Sequence, residues 1–371
     1  MYTASVRSTI SALKAYTPGL SIDEIRQKYH LERVIKMASN ENPLGVPPLA
    51  AEAIRSNAGL AFRYPRSGNP RLQAALSALH KVPNTRIICG NGSDEIIDLL
   101  LRMLCEPGKD NIACFQPCFS LYPIQAQISN IAVRRTPLNK DFSFDFEALL
   151  KQVDERTRIV FVTTPDNPSG YSPKADQILH LSQELSKHFP SCLLLLDEAY
   201  VDFCEEEKDH SLLAQGVLPD NTAFMRTFSK SFGLAGLRLG YAVVPEAIAD
   251  AFWRARLPFS VNILAEEAGL AALCDTAFRT ETMRVVREGR KRLTEELSAM
   301  HCTVWPSSAN FLLFQLPSGF TAKDCFTTLL SQGIIIRTLQ GYDLPEHLRV
   351  SIGNEEENTV FLEAMRRYLK I

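Results

Sequence analysis

A chain of 371 residues, 46% apolar and 22% charged, is long enough to bury a large core and to divide into two domains. Its formal net charge of −2 gives it no field to attract nucleic acid or an anionic membrane, so any anion it binds is held locally. The nine cysteines are scattered, and the closest pair, Cys114 and Cys118, lacks the second pair that a zinc site needs; no metal is expected, and the thiols read as reduced, in a cytoplasmic protein.

The first residues, MYTASVRSTISALKAYTPG, lack the continuous apolar segment of a signal peptide, and no run in the chain is apolar for long enough to span a bilayer. Residues 1–45 read as irregular, running into a Pro/Asn/Gly cluster, MASNENPLGVPP. From about residue 50 to 260, short apolar runs alternate with amphipathic helical patterns. The strand candidates are RIICG (86–90), NIACF (111–115), IAVRRT (131–136), RIVFVTT (158–164), CLLLLD (192–197), TAFMRTFS (222–229) and LGYAVV (239–244). Several are apolar without alternation, as expected of strands covered by helices on both faces, so the spacing predicts an α/β fold with a mostly parallel sheet. Residues 262–300 read as one long, broken helical region leading out of this domain. Beyond it, NFLLFQL (310–316), GIIIRTL (333–339) and LRVSIG (348–353) alternate with helix and predict a smaller α+β domain.

In parallel α/β sheets, ligand groups gather past the carboxyl ends of the strands. GNGSDEII (90–97) follows a strand and opens a helix, with Ser93 as candidate N-cap and backbone N–H groups suited to a phosphate. It has neither a dinucleotide-fold nor a P-loop glycine pattern, and a glycine turn of this kind is often purely structural. Asn167 lies in the proline-rigid loop TTPDNPSGY (163–171), where an Asn is commonly just a turn residue. In LLLLDEAY (193–200), four leucines drive the strand inside and leave Asp197 where a bare carboxylate is costly. Helix capping accounts for such an Asp as well as a buried cation does; Tyr200 lies three residues further on. Lys230 stands at the end of another strand, in TFSKSFGLAGLRLG (227–240), with Arg238 eight residues later. Taken singly it reads as a surface lysine. A lysine in a partly dry site among cations has a lowered pKa and becomes a nucleophile for carbonyls. Together, Asp197, Lys230 and Arg238 fit a pyridoxal 5'-phosphate site, with Asp197 for a pyridinium nitrogen and Arg238 for the phosphate.

The chain resembles the aspartate-aminotransferase superfamily, of fold type I, over nearly its full length. The matching segments are MASNENPLG (37–45), RYP (63–65), GNGSDEIIDLL (90–100), TTPDNPSG (163–170), LLLLDEAY (193–200), RTFSKSFGLAGLRLGY (226–241), SANFLLF (308–314), IIIR (334–337) and LRVSIG (348–353). NENPLG, with DEAYVDF (197–203), points to the histidinol-phosphate branch of that superfamily. The resemblance implies a seven-stranded sheet in a three-layer large domain over 46–261, a small domain over 262–371, and an N-terminal arm over 1–45 that contributes to the small domain. It implies that Lys230 is the Schiff-base lysine and catalytic base, that Asp197 pairs with the ring nitrogen, and that Asn167 and Tyr200 bond the ring's phenolic oxygen. Ser93, Asp94, Ser229 and Arg238 would hold the cofactor phosphate and Phe119 would stack on the ring. Tyr64 would reach the phosphate of a neighbouring subunit, which implies a homodimer. Tyr16, Asn167, Arg337 and Arg349 would face the substrate, Arg349 taking a carboxylate and Arg337 a phosphate. Asp166, Arg66 and Phe119 depart from the family's usual residues and leave substrate choice open. The activity implied is transamination between L-histidinol phosphate and 2-oxoglutarate. An aromatic amino acid aminotransferase, a threonine-phosphate decarboxylase and a non-catalytic binding module are the alternatives.

Overall fold

The computed structural model describes residues 5–11, 13 and 20–371. Seven strands form its main sheet, in the order Ile87–Asn91, Leu239–Val243, Thr222–Thr227, Leu193–Asp197, Thr157–Thr163, Asn111–Gln116 and Ala132–Pro137. All neighbours pair in parallel except Leu239–Val243, which runs antiparallel to the strand on either side. The mostly parallel seven-stranded sheet expected from the sequence is present.

Successive residues of these strands belong to two different cores. Val160, Val162, Leu194, Leu196 and Phe224 pack on one face, and Ile159, Phe161, Leu193, Leu195 and Met225 on the other. Strand side chains alternate between faces, so runs that are apolar at every position are the mark of a sheet with no wet side. Helices Pro70–His80, Ala175–His188 and Ile263–Cys274 cover the first face; Ser93–Leu104, Leu121–Ile128 and Glu246–Ala255 cover the second. That makes three layers. Leu194, Leu195 and Leu196 are fully buried, and truncating any one to Ala would cost about 2–5 kcal/mol.

A four-stranded antiparallel sheet, ordered Arg337–Leu339, Leu344–Ser351, Phe311–Gln315 and Thr303–Val304, has its own core against helices Thr276–Ala299, Ala322–Ser331 and Glu355–Leu369. The expected long helical region is two helices, Ile263–Cys274 and Thr276–Ala299. They part at Asp275, whose carboxylate accepts from the Phe278 N–H and caps the second. The segment expected to be irregular contains helix Ile22–Tyr29, opened by a capping box between Ser21 and Glu24. It also contains a two-residue strand, Ile35–Lys36, paired in parallel with Ile334–Ile335. This short pairing threads residues 38–42 between the two sheets.

Candidate active site

Three adjacent parallel strands set up the centre of the site. Thr163 is in register with Asp197, and Asp197 with Met225, so the loops carrying Asn167, Asp197 and Lys230 leave the sheet side by side. Ser93, Asp94, Phe119, Asn167, Asp197, Tyr200, Ser229, Lys230 and Arg238 line one cavity of about 280 Å³. A second cavity, of about 120 Å³, shares Phe119, Asn167, Tyr200 and Lys230 with the first and adds Arg337 and Arg349. The structure thus gathers every site residue expected from the sequence except two. Tyr64 is 81% exposed and stacks on Phe259, at 4.8 Å between ring centroids, outside both cavities. Tyr16 lies outside the described residues.

The anion end is built from glycines. Helix Ser93–Leu104 begins at Gly92, not Ser93: Gly92 occupies the cap position at φ 77, no side chain caps the end, and Ser93 is the first helical residue. The first-turn N–H groups and the positive end of the helix dipole therefore meet the cavity. Antiparallel pairing of Gly90 with Gly240 brings Arg238 alongside. A Cβ on Gly240 would lie 2.4 Å from the Ser93 nitrogen, and one on Gly92 would lie 2.6 Å from Arg238 Nη2. Arg238 is held in the left-handed region at φ 56; its guanidinium donates to Asp94 Oδ2 at 2.9 Å and to Ser229 Oγ at 3.4 Å.

Asp197 is buried. Its Oδ2 accepts from the Tyr122 hydroxyl at 2.6 Å and its Oδ1 from the Ala199 N–H at 3.1 Å. Burial pushes its carboxyl up to about 6, against these hydrogen bonds, which lower it. A cation facing it would restore the charged form. The next residue, Glu198, points to the sheet's other face and forms a buried ion pair with Arg226 at 2.7 Å.

Lys230 Nζ donates to the Ser39 carbonyl at 2.9 Å and lies 5.7 Å from the centroid of the Tyr200 ring. Burial, then the charge of Arg349, pulls its ammonium down to about 8. This is the nucleophile-forming shift expected from the sequence. The Tyr200 hydroxyl accepts from Asn40 Nδ2 at 3.1 Å.

Asn167 Oδ1 accepts from Arg349 Nη1, and Arg349 Nη2 donates to the Ala38 carbonyl at 2.9 Å. Arg337 and Arg349 are direct cross-strand partners. Asp166, one of the departures from the family pattern, turns inward and braces the loop. Its carboxylate accepts from the Ser169 hydroxyl at 2.6 Å and the Ser169 N–H at 3.1 Å, and burial pushes it up to about 7. Phe119 meets Tyr122 edge-on at 5.6 Å.

Sequence reasoning missed Tyr122, Ser39, Asn40 and Glu41. Tyr122 stands three residues after Phe119, a helical spacing that puts both on one side, and this was the available signal. The other three lie in SNEN, a segment without periodicity.

Three comparisons bear on this arrangement. The family model "Aminotransferase class I and II" matches residues 32–365. A histidinol-phosphate aminotransferase from Nitratidesulfovibrio vulgaris (strain Hildenborough) is 55% identical over 364 residues, covering 98% of this chain and 96% of its own. Among solved structures, a putative histidinol-phosphate aminotransferase from Erwinia carotovora atroseptica superposes with a TM-score of 0.84 at 26% identity, over 96% of this chain and 99% of its own. The histidinol-phosphate aminotransferase of Sinorhizobium meliloti, determined in complex with pyridoxal-5'-phosphate, gives 0.88 at 23% identity, over 100% and 98%. The last likeness is one of fold.

Proposed function

The chain belongs to the class I and II aminotransferase family, and on that premise we propose that it is a histidinol-phosphate aminotransferase, moving an amino group between L-histidinol phosphate and 2-oxoglutarate in L-histidine biosynthesis. The carrying observation is the pair of joined cavities, one with Lys230, Asp197 and an uncapped helix end, the other with two arginines. The identity to the Nitratidesulfovibrio relative, over nearly the whole of both chains, favours this reading over the aromatic and decarboxylase alternatives.

The residues present fit pyridoxal 5'-phosphate. The glycines at 92 and 240 clear the space a Cβ would fill, the helix end and Arg238 suit a phosphate, and Asp197 is a buried carboxylate held above its ordinary range in want of a cation. The Ser93 and Asp94 N–H groups, the Ser229 hydroxyl and the Arg238 guanidinium would bind the phosphate. Asp197 would hold a proton on the ring nitrogen, Asn167 and Tyr200 would bond the phenolic oxygen, and Phe119 would stack. When bound, the cofactor supplies an electron sink for the charge left at the substrate's α-carbon.

Lys230 Nζ would hold the cofactor through its aldehyde and would carry the α-proton, a task for an amine whose pKa lies near working pH. Arg349 presents its planar fork to the α-carboxylate of glutamate, and Arg337, opposite it in the sheet, contacts the phosphate of histidinol phosphate. One pocket thereby serves two anions. Tyr16, outside the described residues, would bind substrate as well.

Tyr64 acts across a homodimer interface, reaching the partner's cofactor phosphate. Its exposure, beside the exposed Phe62, Leu257 and Phe259 and away from its own cavity, supports that placement. The cofactor domain of this reading runs over 46–275, because helix Ile263–Cys274 packs on its sheet, and the substrate domain starts at helix Thr276–Ala299 rather than at 262, joined by residues 22–38 of the arm. A cytoplasmic location belongs to the same proposal; none of the described helices is long and apolar enough to cross a membrane.

Single-turnover absorbance with each donor separately tests the reading. Histidinol phosphate and glutamate should each discharge the yellow colour rapidly, and phenylalanine slowly. Preference for phenylalanine would move the assignment to the aromatic enzymes, and a protein that takes up no pyridoxal phosphate would end it.

A further inference from the structure

Three carboxylates line the first cavity, next to the one that holds the arginines: Asp94, Asp197 and Glu41. Asp94 is tied to Arg238 at the anion end, and Asp197 is locked by Tyr122 and Ala199 behind the ring position. Glu41 has neither task. It lines the cavity, its charge opposes the lowering of the Lys230 amine's pKa, and its side chain is 45% exposed.

The backbone that carries Glu41 is pinned at the residues around it. The Ala38 carbonyl accepts from Arg349 and the Ser39 carbonyl from Lys230; Asn40 bonds Tyr200 and Ser351; Asn42 Nδ2 donates to the Ser231 carbonyl at 2.9 Å. Lys36, in the short strand paired with Ile334–Ile335, donates to Glu41 Oε1 at 3.0 Å. The pinned backbone and the ion pair with Lys36 restrict the side chain of this cavity-lining residue, so it has less rotamer freedom left to lose on binding.

We propose that Glu41 determines donor specificity by accepting a hydrogen bond from the imidazole N–H of the substrate. The inference rests on the function proposed above. The donors it names share an amine and an anionic group, and the arginines answer the latter. They differ in the third substituent: an imidazole with an N–H and an ordinary pKa of about 6.5, or a second carboxylate. Burying an N–H without an acceptor is costly, and Glu41 supplies the acceptor. The same charge repels the side-chain carboxylate of glutamate. Against the phenyl ring of phenylalanine the oxygen not held by Lys36 meets no donor, and a site built to hydrogen-bond one substrate rejects analogues that lack the matching group.

The test compares wild-type holoenzyme with Glu41→Gln and Glu41→Leu in single-turnover reactions with L-histidinol phosphate, L-glutamate and L-phenylalanine. Expected is a fall of about tenfold in kcat/KM for histidinol phosphate in the Gln variant, carried in KM, and a larger fall in the Leu variant. Glutamate and phenylalanine should both improve. Calorimetric affinity of the cofactor-loaded amine form for histidinol phosphate should fall in parallel. Equal losses with all three donors would show a general effect through Lys230 or folding and would overturn the proposal, as would an unchanged ratio of donors. A wild-type enzyme that ignores histidinol phosphate would instead overturn the parent reading, and this one with it.

Discussion

Replacing Asp197 with Asn should make the cofactor-free protein more stable while removing its activity. Burial raises the carboxyl from its ordinary 3.8 to about 6. An acid raised in the folded state binds more protons there than in the unfolded chain, so stability falls as pH rises from about 3.8 to about 6, and the deficit is full above that. A gap of about two units at 1.36 kcal/mol each comes to about 3 kcal/mol at pH 7.5. Asparagine carries no such deficit and fits the same hydrogen bonds. Its oxygen accepts from Ala199, and its amide donates to the Tyr122 oxygen while that hydroxyl turns to Thr163 Oγ1, 2.8 Å away. Guanidinium denaturation of the two apoproteins should show the variant ahead by about 3 kcal/mol at pH 7.5 and by about half of that at pH 5. With pyridoxal phosphate bound the order should reverse, because only the carboxylate pairs with a protonated ring nitrogen, and turnover should fall by at least about 100-fold. A variant no more stable than wild type at pH 7.5, or one with a lead independent of pH, would refute the reasoning.

Other expectations concern the surrounding groups. Because the Lys230 ammonium is lowered to about 8, its neutral form predominates above that pH. Capture of pyridoxal phosphate by the apoprotein, followed by absorbance, should inflect near pH 8, and Arg349→Met should move the inflection upward by removing a cation. Arg337→Ala should cost about 2–3 kcal/mol of transition-state stabilisation with histidinol phosphate and much less with phenylalanine; equal losses in kcat/KM would count against a phosphate contact. Gly240→Ala would drive a methyl group to 2.4 Å from the Ser93 nitrogen, a backbone atom with no rotamer to yield. Fluorescence titration should then show weakened cofactor binding, and thermal melting a loss of about 1–3 kcal/mol or more.

What the sequence made legible follows from how local each cause is. Four consecutive leucines before a carboxylate describe a doubly covered strand with a polar end, and Leu193–Asp197 is that strand. Lys230 stood out for the same reason, as a cation in apolar surroundings. The hydroxyl that holds Asp197 comes from Tyr122, 75 residues away, and no local pattern encodes such a pairing. The two-residue strand Ile35–Lys36 is too short to show a period, so the segment behind it read as loop although it supplies one wall of the cavity. Helix Ile22–Tyr29 was missed despite its Ser21/Glu24 box, because the Pro/Asn/Gly cluster downstream coloured the whole arm. Arg238 adopts a backbone conformation that favours glycine, and the charge it delivers to the helix end outweighs about 1–2 kcal/mol of strain.

The clasp around residues 38–42 has a consequence for the order in which the protein is made. Asn40 bonds Ser351, and Ala38 bonds Arg349, across 311 residues of chain. Contacts of such separation form late, after the loop-closing entropy of nearly the whole chain has been overcome. A ribosome that has released the seven strands of the main sheet has therefore released the lysine, but not the strand that lowers its pKa and holds its neighbour Asn167. The nascent chain is an incomplete reagent until strand Leu344–Ser351 has emerged, so competence for chemistry waits on a segment made long after the lysine.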